Sequence, residues 1–188
     1  MKLVIAISGL HGTGKSTYAK QLAHDFKLNY LSAGALFREI AKEKGITLEE
    51  LTNLAEKDNS LDQRIDDRTL SWADRGSVVI DALLAGWMTG ERATIKIHMV
   101  TPDSVRHKRI ANRDKIDFQE AKYRTLKREN CEKLRFKRKY GIELDDLTIY
   151  DLVLNTSLLP IKSNIKLLRE VINEYLRTYE EVNKNTGN

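Results

Sequence analysis

Eight residues near the start of the chain, Gly9-Leu10-His11-Gly12-Thr13-Gly14-Lys15-Ser16, narrow its possible folds more than anything else in it. They satisfy the spacing G-x-x-x-x-G-K-[ST], and their flanks are the ones this spacing requires. Before them stands a short apolar run, Leu3-Val4-Ile5-Ala6-Ile7, as in a strand buried on both faces. After them, Ala19, Leu22, Ala23 and Phe26 recur at helical spacing. A strand, a glycine-rich turn and a helix start together form an anion cradle. The turn aims successive N–H groups at one point, and the helix adds its positive end. Lys15 brings a mobile charge suited to β- and γ-phosphates, and the Ser16 hydroxyl suits Mg²⁺. Gly9, Leu10, His11, Gly12, Thr13, Gly14, Lys15, Ser16 and Thr17 are therefore the expected ATP-binding residues. His11 needs no chemical role there and reads as a loop filler beside the nucleotide.

The rest of the chain repeats the alternation. Strands are expected near 28–31, 78–81, 95–100 and 150–154, and helices near 17–26, 35–44, 62–75 and 164–179. A further helix opens at Thr47, where Thr47-Leu48-Glu49-Glu50 has capping-box spacing. After Pro102-Asp103, a helix start, one long polar helical region is expected to run to about Tyr140. Alternating strands and helices imply a parallel sheet covered on both faces, an α/β sandwich. Asp81 ends the apolar strand Val78-Val79-Ile80, a position from which an aspartate orients Mg²⁺.

With 188 residues, two prolines and ten glycines, the chain has room for one domain and none for a low-complexity linker. We expect that domain to span 1–180, followed by a polar tail, 181–188, that frays. A single cysteine, Cys131, excludes an internal disulfide and a cysteine-rich metal site. The first apolar run is too short for a signal peptide and leads straight into the phosphate loop. Nothing approaches the roughly 20 apolar residues of a membrane span.

The formal charge is +5, and the surplus is concentrated: residues 106–139 hold fourteen lysines and arginines against five acids. Such a block suits RNA, an anionic membrane or a polyphosphate. Only Phe118, Tyr123 and Phe136 are available there for base stacking, and no RNA motif is present. Nor does the chain offer the guanine-reading Asn-Lys-x-Asp of a GTPase, since Asn183-Lys184 is followed by Asn185-Thr186. Within the block, Arg109 and Arg113 share one helix face, and Arg124 and Arg128 another. Either pair can close over phosphates.

Ser32-Ala33-Gly34-Ala35-Leu36-Phe37-Arg38 resembles the acceptor-binding segment Ser-(Thr/Ala)-Gly-Asp-x-x-Arg of adenylate and cytidylate kinases. Arg38, one turn past Gly34, would fork onto an acceptor phosphate. Together with Leu84-Ala85-Gly86-Trp87-Met88, Tyr140-Gly141-Ile142 and Tyr150-Asp151-Leu152-Val153-Leu154-Asn155-Thr156-Ser157, the chain resembles the archaeal-type cytidylate kinases along nearly its full length. The resemblance implies a three-layer P-loop NTPase sandwich with a central parallel sheet, a helical acceptor-binding arm (about 33–75) and a mobile basic lid (about 106–140). It also implies γ-phosphoryl transfer from Mg-ATP to CMP or dCMP. Lys15, Arg38, Arg109, Arg113 and Arg128 would be catalytic. Ser32, Gly34, Arg38, Glu132 and Arg135 would hold the acceptor, with Glu132 and Arg135 on the cytosine edge, and Ser16 and Asp81 would hold Mg²⁺. The protein would be a cytoplasmic monomer with ATP and a nucleoside monophosphate as partners, and neither nucleic acid nor membrane. Two departures stand out: Ala35 replaces the segment's aspartate, and Leu83 replaces an arginine expected near the acceptor phosphate. UMP or AMP therefore remain alternative acceptors, and a non-catalytic nucleotide- or RNA-binding protein is the reading from another class. Trp87 reads as core.

Overall fold

The computed structural model describes residues 2–58 and 60–186, with 180–186 described by backbone alone. Five parallel strands run in the order β2-β3-β1-β4-β5: β1 (Val4–Ser8), β2 (Asn29–Ser32), β3 (Val78–Asp81), β4 (Ile95–Val100) and β5 (Leu152–Asn155). Every residue of β1 is buried, because its alternating side chains feed two cores. Ile5 and Ile7 pack with Ile97, Met99, Leu22, Leu168 and Ile172 on one face. Val4 and Ala6 pack with Val78, Ile80, Ala73 and Ala85 on the other.

The helices covering the first face are α1 (Lys15–Asp25) and α8 (Ile161–Thr186). The expected tail begins inside α8, whose backbone continues to Thr186, while residues 187 and 188 lie outside the described residues. The other face carries α4 (Ser60–Arg75) and the short α5 (Ala85–Thr89). With α2 (Ala33–Glu43) and α3 (Leu48–Lys57), α4 also builds a small core of its own around Leu36, Phe37, Ile40, Leu51 and Leu61. The capping box at α3 is closed in both directions: the Thr47 N–H donates to Glu50 Oε2 (2.7 Å) and the Glu50 N–H to Thr47 Oγ1 (3.1 Å).

The polar region after Pro102 is two helices rather than one, α6 (Asp103–Asp114) and α7 (Phe118–Tyr140). Lys115 turns left-handed (φ 56°) to end α6. Asp117 then caps α7, accepting from the N–H groups of Gln119 and Glu120. A buried contact of Ile110 and Ala111 with Ala121 folds the pair into a hairpin. No charge pattern announces such a break; a three-residue turn with one capping aspartate makes it.

Gly86 is where two of the sequence signatures meet. A Cβ there would lie 2.4 Å from the Tyr150 ring, so Ala85-Gly86-Trp87 and Tyr150-Asp151 are complementary surfaces. The Gly86 N–H also donates to Ser8 Oγ (2.9 Å) at the end of the central strand. Trp87 is partly buried in an apolar cluster with Leu83, Leu84, Phe136 and Ile142, as its core reading anticipates.

Candidate active site

The chain crosses from β2 back to β3 and then out to β4, so the sheet's order reverses around β1. Open parallel sheets bind ligands at such a point, beyond the carboxyl ends of the strands. Residues 9–14 leave β1 there and lead into α1. Gly12 has φ +79°, and a Cβ on it would lie 2.7 Å from the Arg106 carbonyl oxygen, so the loop's curl and its seat against α6 both require glycine. Lys15 is half-buried, with Nζ donating to the carbonyls of Gly9 (2.6 Å) and Leu10 (2.9 Å). Burial pushes its pKa down, against the pull of Asp81, Glu132 and Glu129. Beside it, Ser16 Oγ donates to Asp81 Oδ2 at 2.6 Å. The hydroxyls of Tyr30 (2.9 Å) and Ser32 (3.4 Å) reach the same oxygen. Asp81 is buried at the end of β3. Ser16 and Asp81 are thus neighbours although 65 residues apart.

His11 is more than a filler. Its Nε2 lies 2.7 Å from Glu132 Oε2, its N–H donates to Glu129 Oε1 (3.1 Å), and its carbonyl accepts from Arg106 Nη1 (2.8 Å). Arg106 is buried and saturated, bonded also to Glu129 (2.7 Å) and Asp103 (2.6 Å). Burial disfavours its charge, but these two carboxylates outweigh burial and raise its pKa. Burial likewise opposes ionisation of Glu132, yet His11 and Arg128 hold its carboxyl at about 2. The phosphate loop is therefore tied to α6 and α7 through one residue type that the loop pattern leaves free.

The six predicted arginines occupy different settings. Arg38, Arg109, Arg113 and Arg128 all line one cleft of about 1170 Å³ that also contains Lys15, Ser16 and Asp81. Arg109 reaches back to the carbonyls of Gly12 and Thr13 and donates to Thr156 Oγ1 (2.9 Å) and its carbonyl (3.1 Å). Thr156 in turn donates to the Thr13 carbonyl (2.7 Å), clamping the phosphate loop to the end of β5. Arg113 pairs with Asp114 (2.7 Å) at the α6 end. Arg128 pairs with Glu132 (2.8 Å) and lies over the Phe37 ring. Arg124, on the Arg128 side of α7, pairs with Glu120. Arg38 is exposed on α2 and makes no hydrogen bond or ion pair among the described residues. Ser32 caps its helix, accepting from the Ala35 N–H (3.2 Å), and Gly34 leaves room beside the Arg38 guanidinium.

Glu132 and Arg135, three residues apart on α7, make no ion pair with each other among the described residues. Arg135 instead faces α3 and α4: its Nε lies 3.2 Å from Asp62 Oδ2 and its Nη1 3.4 Å from the Thr52 carbonyl. Asp66, one turn on, accepts from the Tyr140 hydroxyl. Burial pushes the pKa values of Asp66 and Tyr140 up. Asp62, Asp66 and Thr52 line the same cleft, and none of them carries a sequence motif. Arg106 was equally hidden: its one signal is a position in the basic block. Leu83 sits in the apolar cluster around Leu84 and Phe136, and Ala35 is exposed.

Solved structures share this architecture at low identity. A shikimate kinase from Bacteroides thetaiotaomicron superposes with TM-score 0.61 at 13% identity, covering 91% of this chain and 98% of that one. A gluconokinase from Sinorhizobium meliloti gives 0.60 at 13%, covering 98% and 97%. At these identities the likeness is one of fold. Sequence relatives are much nearer. A cytidylate kinase of Staphylothermus marinus is 46% identical over 175 residues, which is 93% of this chain and 99% of the relative. One from Aeropyrum pernix is 46% identical over 164 residues (87% and 95%), and one from Pyrococcus horikoshii 43% over 156 (83% and 81%). The model of the cytidylate kinase-like family matches residues 4–158, from the first strand through the Thr156 clamp. By that match and these identities, the chain belongs to the cytidylate kinase-like family.

Proposed function

We infer that the protein is a cytidylate kinase, moving the γ-phosphoryl group of ATP onto CMP or dCMP to give ADP and CDP or dCDP. The observation that carries this reading is one continuous cleft with a phosphate-binding loop at one end and the Ser32-Ala33-Gly34 segment with Arg38 at the other. Phosphoryl transfer of this kind needs no protein nucleophile. An oxygen of the acceptor phosphate attacks the γ-phosphorus as the bond to the β-bridging oxygen breaks, and catalysis consists of alignment and charge compensation.

The residues divide that work. N–H groups of residues 12–16 would cradle the β-phosphate, and Lys15 would exchange the Gly9 and Leu10 carbonyls for phosphate oxygens. Ser16 and Asp81 offer adjacent hard oxygen donors, which fits Mg²⁺. Among the described residues no cluster of three or more His, Cys, Asp or Glu side chains exists to hold a metal without the nucleotide. The remaining ligands would thus be phosphate and water oxygens. Bound there, Mg²⁺ supplies charge neutralisation on the β- and γ-phosphates. Arg38 would hold the acceptor phosphate, taking up the charge that Leu83 does not provide. Arg113 and Arg128 would close on the transferring group once phosphate oxygens replace their carboxylate partners, and Arg109 would keep the loop in place. Together, residues 1–180 would form one kinase domain with an arm at 33–75 and a lid at 106–140. The same reading makes the protein a cytoplasmic monomer; among the described residues no helix is long and apolar enough to cross a membrane.

The test is ADP formation from Mg-ATP with CMP, dCMP, UMP, AMP and GMP supplied separately. Turnover selective for CMP or dCMP is expected. Selectivity for another monophosphate, or none, would overturn the acceptor assignment.

A further inference from the structure

Arg113 and Arg128 must each leave a carboxylate before either can bind a phosphate, and the two carboxylates are unlike. Asp114 is exposed, so water can serve its oxygens when Arg113 departs. The Glu132 side chain is only 5% exposed. Its Oε1 accepts from Arg128 Nε (2.8 Å), and its Oε2 lies 2.7 Å from His11 Nε2. A carboxylate only accepts, so that ring nitrogen carries the hydrogen. Arg128 and Glu132 are i, i+4 on α7, a spacing at which an ion pair forms from the helix alone. Stripping a buried carboxylate of its one partner is strongly unfavourable. Without a second partner for Glu132, Arg128 would therefore stay where it is.

His11 is that second partner, and it is the better anchored of the two. Its N–H donates to Glu129 Oε1 (3.1 Å) and its carbonyl accepts from Arg106 Nη1 (2.8 Å), which fixes its backbone. Arg128 is 26% exposed on the wall of the cleft, over the Phe37 ring and next to the helix that carries Arg38. We propose that His11 is a positioning residue for phosphoryl transfer: by holding Glu132 it frees Arg128 to move from that carboxylate to the transferring group. The assignment deepens the kinase reading above and rests on it, but on no particular acceptor base. The loop spacing leaves position 11 open, so phosphate binding by itself does not call for an imidazole there.

The decisive variant is His11→Phe, which keeps a ring and removes its donor; His11→Ala serves beside it. With the monophosphate that the wild type uses best, kcat should fall on the order of 100-fold, as for a misplaced group at the reacting centre. The KM for ATP should change little. Adding Glu132→Gln removes the carboxylate that pins Arg128 and should recover about tenfold or more of the loss, whereas in an Arg128→Ala background His11→Phe should cost nothing further. A merely structural histidine predicts neither the recovery nor the non-additivity. Should neither His11 variant fold, NMR of the wild type with Mg²⁺, ADP, aluminium fluoride and the monophosphate carries the test. The Arg128 Nε–H resonance should shift on forming that complex while the His11 Nε2–H stays hydrogen-bonded; an unmoved Arg128 signal overturns the assignment. So does an unaltered kcat in a folded His11 variant, or a loss that Glu132→Gln does not reverse. Absence of turnover with any monophosphate by the wild type defeats the kinase reading and this inference with it. Wild-type turnover without the recovery defeats this inference alone.

Discussion

At the donor end of the cleft, nearly every functional group comes from one stretch of nine residues, 9–17, with Asp81 added from the neighbouring strand. At the acceptor end, Thr52, Asp62, Asp66 and Arg135 come from three helices, and the contact between Thr52 and Arg135 spans 83 residues. On the proposed reading, the donor end would bind with backbone N–H groups, whose direction is set by local φ and ψ. The acceptor end would bind with side chains, whose direction is set by the packing of α3 and α4 against α7. A polyphosphate can be held by a contiguous loop because every phosphate looks alike. Telling one base from another needs donors and acceptors at fixed distances, which only a tertiary contact supplies.

Lys15→Ala should produce the largest loss, about 10³-fold or more in turnover, since it removes the charge nearest the transferring phosphoryl group. Circular dichroism should remain that of the wild type, because Lys15 bonds only its own loop. Retained activity would break the donor side of the comparison.

Arg106→Met attacks the joint between the two ends. It leaves Glu129 buried with one of its partners gone and the His11 carbonyl unmet, a cost of about 3–5 kcal/mol. A Tm lower by roughly 10 °C is the expected reading. An unchanged Tm would mean that the loop does not depend on α6 and α7 for its position.

Arg38→Ala should raise the acceptor KM about 10- to 100-fold and leave ADP affinity alone, as loss of a charged hydrogen bond predicts. Equal effects on both substrates would show that the two ends are not separable.

A further effect concerns Glu132 and acid. Its carboxyl lies at about 2 in the folded protein against an ordinary value of 4.5. A depressed carboxylate stabilises the fold above its unfolded value, and the contribution is lost as pH falls from about 4.5 towards 2. It amounts to something on the order of 3 kcal/mol. Urea midpoints at pH 7 and pH 3 should therefore differ less in Glu132→Gln than in the wild type. Equal differences would remove the His11 and Arg128 bridge as a source of acid sensitivity.

Legibility in the sequence follows the same division. The strand run at 3–7, the capping box at Thr47 and the strand that ends at Asp81 each depend on residues close in sequence or on a strict period, and each is present. The break at Lys115 was not legible, because Asp117 is one acid among many polar residues until the hairpin contact of Ile110, Ala111 and Ala121 selects it as a cap. Glu132 and Arg135 have spacing that suggests a pair, yet their side chains turn to different neighbours. Helical spacing places residues on a face without choosing what that face meets.

From its sequence alone this protein is an α/β chain with a triphosphate cradle at its first turn, because glycine spacing and apolar alternation act through the backbone over a few residues. Tertiary structure alone decided that His11 is a strut, that Arg109 clamps the loop to Thr156, and that Asp62 is the neighbour of Arg135. Those outcomes rest on side chains brought together from far along the chain, where burial of charge leaves each group dependent on its nearest partner.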